Sequence, residues 1–518
     1  MKNNKTLSVL LAAIWIVQLL IKIVTFGIIW KLDMLPGLYL AVVDVLLVLL
    51  WLLIGGLLFV GRKHGTGRRV IALLLVALIA LGCAGASGAA AHLGQTVGNI
   101  TGKTEITTVM AVYVRADDPA QVIMDASGYT FAVFENIGVE KTAQAIAALE
   151  KKCDTTLATM EYENVVEMVD ALLNGEVDAI LMSAAYAETL EEMDEYYVFS
   201  SKTRVLHKLT IVDQSNGTKV PPATEEPLTT RPAVGEGVGN TGSDTPAADA
   251  ITQAPFVLYL SGNDTRSTAL VTGRSDVNIL AVVNPVTKQI LLVNTPRDYF
   301  IPHPLAPDGQ RDKLTHLGND GIDCSMRGLE ALYNERIDFY AQINFTGFET
   351  LIDAIGGITV TFDRGFTALG ITEIYAGENY LTGEQALHVA RDRYSFSDGD
   401  LARGRNQMKI IKAVVQKLAS GAILTNYAEI LDSLEGMFAT DITMGDVSKL
   451  VKMQLKDLAT WNVQTYAVTG TGGEGKTYTN GNASVIFPDQ GSVDFGQDLI
   501  DRVIAGDILT EEDVVYPG

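Results

Sequence analysis

FVLYLSGNDTRSTALVTGRSDVNILAVVNPVTKQILLVNTPRD, residues 256–298, decides how this chain is read. Three apolar runs within it, Phe256–Leu260, Val277–Val283 and Gln289–Val293, have the length and composition of β-strands. Each abuts a charged block: SGNDTR (Ser261–Arg266), GRSD (Gly273–Asp276) or TPRD (Thr295–Asp298). Asp264 follows one strand and Asp276 opens the next, so both carboxylates are expected at adjacent strand ends. Such a pair can hold a hard cation like Mg2+, which takes few protein carboxylates and completes its shell with water and phosphate oxygens. The alternative is two ordinary turn or cap residues. Arg297 and Asp298 follow the third strand, after Pro296 fixes the turn. The planar fork of Arg297 suits two phosphate oxygens; a plain Arg297–Asp298 surface pair is the alternative.

Two more charged blocks lie downstream. RDK (Arg311–Lys313) sits in a loop rich in Pro, Gly and Asp, where Lys313 is either a solvated charge or an anion ligand. ARDR and LARGRNQ fall between Ala390 and Gln407. Arg391 and Arg393 end a helix predicted over Gly383–Ala390. Arg403 and Gln407 share one face of the next helix, being four residues apart. Arg403 and Arg405 lie in its first turns, where the helix dipole disfavours cations unless an anion is near. That anion is a ligand, or else Asp398 or Asp400.

The background sharpens the signal. The chain has 518 residues and a net charge of −22, and beyond Gly94 the net charge is −28. Two to four domains are expected at this length. So acidic a chain is no general nucleic-acid binder, and cations gathered within it imply an anion to meet. Six scattered histidines show no zinc-ligand spacing. Gly-x-Ser-x-Gly and Walker loops are absent from the sequence. Asp353–Gly357 reads as a helix C-cap entering a strand rather than a phosphate loop. Cys83, Cys153 and Cys324 are too few for a disulfide framework.

Residues 1–94 read as a membrane anchor. Thr6–Trp30, Leu35–Val60 and Val70–Leu93 are apolar runs near the roughly 20 residues that span a bilayer. Lys2, Lys5, Arg62, Lys63, Arg68 and Arg69 place the N-terminus and the second loop in the cytoplasm, and everything after the third span outside. Lys22 and Asp44, inside the runs, are read as snorkelling or helix–helix contacts rather than functional charges.

Residues 107–213 alternate predicted strands (Tyr129–Phe134, Thr155–Met160, Val177–Met182) with helices (Val139–Lys151, Glu163–Leu173, Ala184–Met193), which predicts a small parallel α/β domain. The run YENVVEMVDALLNGEVDAILMS resembles one lobe of the extracellular solute-binding proteins. This accessory domain reads as a structural spacer, with a ligand cleft as the alternative. Residues 214–254, rich in Pro, Thr, Gly, Ala and Glu, read as a flexible linker. The last domain, 255–518, adds strands at Tyr340–Ile343 and Ile358–Phe362. Its helices are expected at Ile322–Asn334, Thr346–Ile355, Leu401–Ala419, Thr425–Met437 and Met444–Leu455.

Seven blocks in this order, SGNDTR, GRSDVNILAVVNP, LVNTPRDYFI, DKLTHLGNDGID, YAQINFTGFETLIDAIGGITV, LTGEQALHVARDR and GDLARGRNQ, resemble the LytR–CpsA–Psr family of cell-envelope glycopolymer phosphotransferases. The resemblance runs from about Phe256 to the C-terminus. It implies an α/β/α sandwich with a mixed central sheet and a hydrophobic pocket for a polyprenyl chain, for which Val277–Val283, Phe339–Phe348 and Ile410–Leu418 are candidate walls. The implied activity is transfer of a phosphate-linked glycopolymer, such as wall teichoic acid or capsular polysaccharide, from undecaprenyl pyrophosphate to peptidoglycan. By position, Asp264 and Asp276 are implied to hold Mg2+. Arg297, Arg391, Arg393 and Arg403 are implied to serve the transfer, and Arg274, Lys313, Gln407 and Asp298 to bind the pyrophosphate or support groups that do. Asp276, Asp298 and Asp400 are the candidate general bases. A polyprenyl-pyrophosphate hydrolase, a non-catalytic lipid carrier and a signalling protein remain as rival readings.

Overall fold

The computed structural model describes residues 2–32, 37–59, 66–100, 105–191, 199–214, 250–266, 268–397, 399–419, 430, 433–479 and 481–517. Most of the expected linker, Arg62 and Lys63, Asp398 and most of the helix expected over Thr425–Met437 lie outside those residues. The chain divides into two compact units: residues 1–99 with 427–432 and 443–459, and the remainder.

The first unit contains α1 (Lys2–Leu32), α2 (Gly37–Phe59) and α3 (Thr66–Ile100). All three are long and apolar enough to cross a membrane. The helix pair α1–α2 is locked by Trp15 and Trp51, stacked with centroids 3.9 Å apart, each indole N–H donating to the other's carbonyl at 3.1 Å. Gly55 permits this stack, since a Cβ there would lie 2.9 Å from the Trp15 ring. Lys22 makes the helix–helix contact expected of it: its ammonium donates to the Leu47 carbonyl on α2. The unit also holds helix Met444–Asp457, capped by the Thr443 hydroxyl.

The second unit begins with the accessory domain. Its strands are β1 (Glu105–Arg115), β2 (Thr130–Phe134), β3 (Ala158–Tyr162), β4 (Ala179–Ser183) and β5 (Thr203–Gln214), in the order β3-β2-β4-β1-β5. Helices α4 (Val139–Cys153), α5 (Val165–Asn174) and α6 (Ala185–Glu191) alternate with them, as the sequence predicts. The sheet is mixed rather than parallel, which corrects the expectation: β2 runs parallel to β3 and β4, but β1 is antiparallel to β4 and β5. The two long strands lie outside the strand–helix alternation in the chain, one before it and one after, so that rhythm carries no trace of them. Residues at the end of the expected linker, Ala250–Gln253, form a helical turn that buries Ile251.

The last domain is built on β6 (Phe256–Asn263), β7 (Ser275–Asn284) and β8 (Gln289–Asn294). Its further elements include β9 (Phe300–Pro302), β10 (Arg311–Lys313), α9 (Leu314–Leu317) and α10 (Ile322–Tyr333). These are followed by β11 (Phe339–Asn344) and α11 (Phe345–Ala354), the latter N-capped by Asn344, whose side chain accepts from Gly347 N at 2.8 Å. A cap of this kind stabilises a helix by about 1 kcal/mol. The central sheet adds β16 (Phe438–Thr440) and β17 (Asn462–Ala467) in the order β16-β11-β6-β7-β8-β17. Pairs β6–β11 and β8–β17 are parallel and the rest antiparallel, so the sheet is mixed as the family resemblance implies.

One face packs on α10 and the C-terminal helix Gln490–Ala505 through Leu280, Val282, Val293, Leu329, Tyr333 and Ile500. The other face, with Ile279, Ala281 and Leu292, meets Met408, Ile411 and Val415 of α13 (Gly399–Ala419). The result is an α/β/α sandwich. Strand Ile358–Phe362 forms as predicted, but in a separate ribbon with Gly377–Leu381. The glycine-rich hairpin Gly470–Thr477/Gly481–Pro488 has no apolar alternation to announce it.

Candidate active site

The charged blocks meet at one end of β6, β7 and β8. Gly262 is needed where β6 shifts register against β7, because a Cβ there would lie 2.8 Å from Val277 Cβ. Asn263 then folds the chain back. Its Oδ1 accepts from Thr265 N at 2.8 Å and its Nδ2 donates to the Val271 carbonyl at 2.9 Å. Beneath this bend, Tyr259, Ser261, Ser275 and Asn278 form a buried hydroxyl–amide network with bonds of 2.6–3.0 Å. Buried polar groups so fully paired fix one geometry. At the base of the resulting loop Arg274 pairs with Asp264, both Nε and Nη2 donating to Oδ2.

Arg297 is 4% exposed and donates through Nη1 to Asp276 Oδ1 at 2.6 Å. Thr315 Oγ1 donates to the same oxygen at 3.3 Å, and Thr315 N to the Arg297 carbonyl at 2.8 Å. Arg297 Nε and Lys313 Nζ stand 3.5 and 3.6 Å from Asp298 Oδ1. Burial pushes the Asp276 carboxyl up, but the cations Arg297, Arg403 and Arg274 outweigh it and bring its pKa down to about 2. Burial likewise opposes Asp298, and Arg297, Lys313, Arg403 and Arg393 overcome it and hold its pKa below the usual range.

Arg297 and Lys313 thus stand within ion-pair distance of these carboxylates, and Arg274, Arg393 and Arg403 are near enough to act on the charge of one or both. Among the described side chains, these five cations gather with the carboxylates Asp264, Asp276 and Asp298, in a strongly acidic protein. The anion that tolerates Arg403 in the first turns of α13 includes Asp276 and Asp298; the side chain of Asp400 is outside the described residues. The cations around Asp276 and Asp298 lower the proton affinity of both, which weakens them as the general base for which they were candidates.

Arg391 lies further out. It is exposed, 5.0 Å over the Phe345 ring, and Phe345 N donates to the Thr265 carbonyl beside Asp264. It ends α12 (Gly383–Arg391), which starts with a Thr382–Gln385 capping box. Between Arg391 and Arg393, buried Asp392 ties the turn by accepting from Leu369 N and Tyr394 N. Gln407 is buried and donates to the Ala390 carbonyl at 3.0 Å. Of its two expected roles it takes the supporting one, anchoring the end of α12.

Sequence reasoning passed over Asp312, Thr315 and His316, which sit behind Lys313. Asp312 accepts from Lys313 N, Thr479 N and Thr479 Oγ1, and pairs with His316 Nδ1 at 2.6 Å. Burial opposes the Asp312 charge, and His316 chiefly restores it, so its pKa is lowered. The four-residue spacing of Asp312 and His316 was the available signal. His303, Asp320 and Cys324 form a second buried cluster with ligand atoms within 4.8 Å of one another. Leu305 N donates to His303 Nδ1, so the ring proton sits on Nε2, facing Asp320 Oδ2 at 3.2 Å. Burial pushes the Cys324 thiol up. That trio is closed by protons and does not suit a metal.

The metal expectation rests instead on Asp264 and Asp276. Both are hard oxygen donors, and the described bonds to Asp276 all fall on Oδ1. Mg2+ takes one or two such carboxylates beside phosphate oxygens; here each is also engaged by an arginine, Asp264 by Arg274 and Asp276 by Arg297.

Known proteins resemble part of this chain. It is 37% identical over 198 residues to an Enterococcus faecalis protein named polyisoprenyl-teichoic acid–peptidoglycan teichoic acid transferase TagU, covering 38% of this chain and 64% of that relative. The Oceanobacillus iheyensis protein of the same name is 34% identical over 201 residues, covering 38% of this chain and 61% of its own. The crystal structure of B. subtilis TagV is 22% identical, with a TM-score of 0.42, and covers 50% of this chain and 99% of its own. The chain thus spans a little under two thirds of the length of the named relatives. The family model described as the LytR_cpsA_psr family matches residues 236–497, half of the sequence. The chain belongs to the LytR–CpsA–Psr family.

Proposed function

We propose that the chain transfers a phosphate-linked glycopolymer, of the teichoic acid or capsule-like class, from an undecaprenyl-pyrophosphate carrier to peptidoglycan. The observation that carries this reading is the gathering of five cations, Arg274, Arg297, Lys313, Arg393 and Arg403, about the carboxylates of Asp276 and Asp298. A diphosphate is an anion that such a cluster of guanidinium groups suits. The names of the relatives, teichoic acid transferases acting on peptidoglycan, point to the same cargo and acceptor class.

Binding falls to Arg274, Arg297, Lys313, Arg393 and Arg403, with Arg391 at the rim. A sugar hydroxyl attacks the polymer-side phosphorus; the bond to polyprenyl phosphate breaks, and that phosphate leaves with the electron pair. Such transfer needs in-line positioning and charge neutralisation more than a covalent nucleophile. Bound between Asp264 and Asp276, Mg2+ would neutralise the phosphate oxygens. The guanidinium groups of Arg274 and Arg297 are held by carboxylates before substrate arrives, which leaves these two little reorganisation during the reaction.

The apolar layer under α13 supports a place for the lipid. Seven of its twelve side chains are only partly buried, Leu258, Leu260, Val277, Ile411 and Val415 among them, unlike the close core on the other face. The three apolar helices and the basic residues near the first and between the second and third spans favour an anchored protein whose catalytic domain faces outward.

The test uses purified full-length protein in detergent with lipid-pyrophosphate-linked polymer, Mg2+ and peptidoglycan fragments. A polymer–fragment adduct with released polyprenyl phosphate supports transfer. Free polymer phosphate formed equally without fragments makes the protein a hydrolase, and lipid binding without turnover makes it a carrier.

A further inference from the structure

We propose that the accessory domain is a positioning part of the transfer machinery: Thr108 on its first strand and Tyr186 on α6 hold the loop that presents Asp264 and Arg274. The proposal rests on the transfer reading above and adds a role to a domain that a spacer would not need. The loop between β6 and β7 spans residues 264–274, and both of its charged ends belong to the site.

The first hold is strand pairing. β4 ends at Ser183, opposite Met110 of β1. Beyond that point the same edge of β1 is taken by the catalytic loop. Thr107 pairs with Val271 as a parallel bridge, Thr272 N donates to the Thr107 carbonyl at 2.9 Å, and Thr107 N donates to the Leu270 carbonyl at 3.5 Å. Beside them the Thr108 and Thr272 hydroxyls lie 2.8 Å apart, with the two residues 1% and 7% exposed. The loop is thereby tied to the edge of the accessory sheet through one bridge and a hydroxyl pair.

The second hold reaches the other flank of Arg274. Tyr186, fully buried, donates its hydroxyl to Asp320 Oδ1 at 2.8 Å, and Asn319 Nδ2 donates to Thr189 Oγ1 at 3.1 Å. Both bonds fix the turn Gly318–Asp320. That turn lies against the loop backbone: a Cβ on Gly318 would sit 2.6 Å from the Gly273 carbonyl oxygen and 2.7 Å from Ser275 N. Arg274 is thus gripped between two segments that the accessory domain holds. Buried hydroxyls left without partners are costly, so these bonds specify one arrangement. A displacement of about 1 Å in a catalytic group can cost about 100-fold in rate.

The experiment compares Thr108→Val, Thr108→Ser and Tyr186→Phe in the full chain with two readouts: amide exchange over residues 264–276, and kcat and KM for transfer. Thr108→Val is expected to speed exchange in that segment about tenfold or more while β7 and β8 stay protected, and to lower kcat about 10–100-fold with KM within about twofold. Thr108→Ser keeps the hydroxyl and restores both values; Tyr186→Phe repeats the effect from the other side and decides the matter if Thr108→Val does not fold. Unchanged exchange and kcat in the Val and Phe variants overturn the proposal. So does a uniform rise in exchange across the domain, which marks a merely structural bond. If the wild type performs no transfer, the functional reading fails, and the exchange readout alone still upholds or overturns the positioning role.

Discussion

Removing Arg297 attacks the centre of the cation cluster. Its side chain is almost wholly buried, bonded to Asp276 and facing Asp298, and it is the leading cation opposing burial at both carboxylates. Arg297→Ala removes the central cation of the cluster and leaves Asp276 with Thr315 and more distant guanidinium groups. Breaking a buried pair by deleting one partner costs about 3–5 kcal/mol of stability, so the variant must first be shown folded by its thermal transition. Losing one preorganised donor to a developing anion costs about 2.7–4 kcal/mol in the barrier, or roughly 100–1,000-fold in kcat. Arg297→Lys keeps the charge but loses the fork, and is expected to fall between wild type and alanine. The assay is the initial rate of polymer transfer to peptidoglycan fragments at saturating lipid. A folded Arg297→Ala enzyme with kcat within about threefold of wild type would refute the reasoning, since no preorganised donor is worth so little.

Three further outcomes follow from the same geometry. The Asp276 pKa is depressed to about 2, so its stabilising contribution, about 2.5 kcal/mol, is fully present above its ordinary value near 3.9 and fades as pH falls towards 2; urea midpoints that do not move between pH 5 and pH 2.5 contradict this. Gln407→Leu leaves the Ala390 carbonyl unpaired at a cost of about 1–3 kcal/mol, and should lower kcat about tenfold at little changed KM, whereas a rise in KM alone would make Gln407 a substrate ligand. Gly318→Ala places a methyl against the Gly273 carbonyl and must shift the turn or the loop; transfer falls by about 100-fold, and an unaffected rate shows that the loop position is not critical.

The sandwich was legible because its strands are continuous apolar runs and its helices carry capping and periodic signals, as at Thr382–Gln385 and Ile322–Tyr333. The convergence of arginines was legible because each block sits at a strand or helix end. The mixed order of the accessory sheet was not, since β1 enters between β4 and β5 by contacts far apart in sequence. Nor was the role of Thr315, Asp312 or His316. Their chemistry lies in bonds to Asp276 and Thr479 that only the folded loops create. Gln407 carried the right position and an ambiguous role, because an amide serves a phosphate and a helix carbonyl equally well.

The most direct measurement is a crystal structure of residues 105–518 soaked with a polyprenyl pyrophosphate and Mg2+. The account predicts both phosphates within hydrogen-bonding distance of Arg297 and Arg403, the metal between Asp264 and Asp276, and the isoprenoid beside Ile411 and Val415 beneath α13. Phosphate density bound away from these side chains, with Arg297 and Arg403 still turned to their carboxylates, would contradict it.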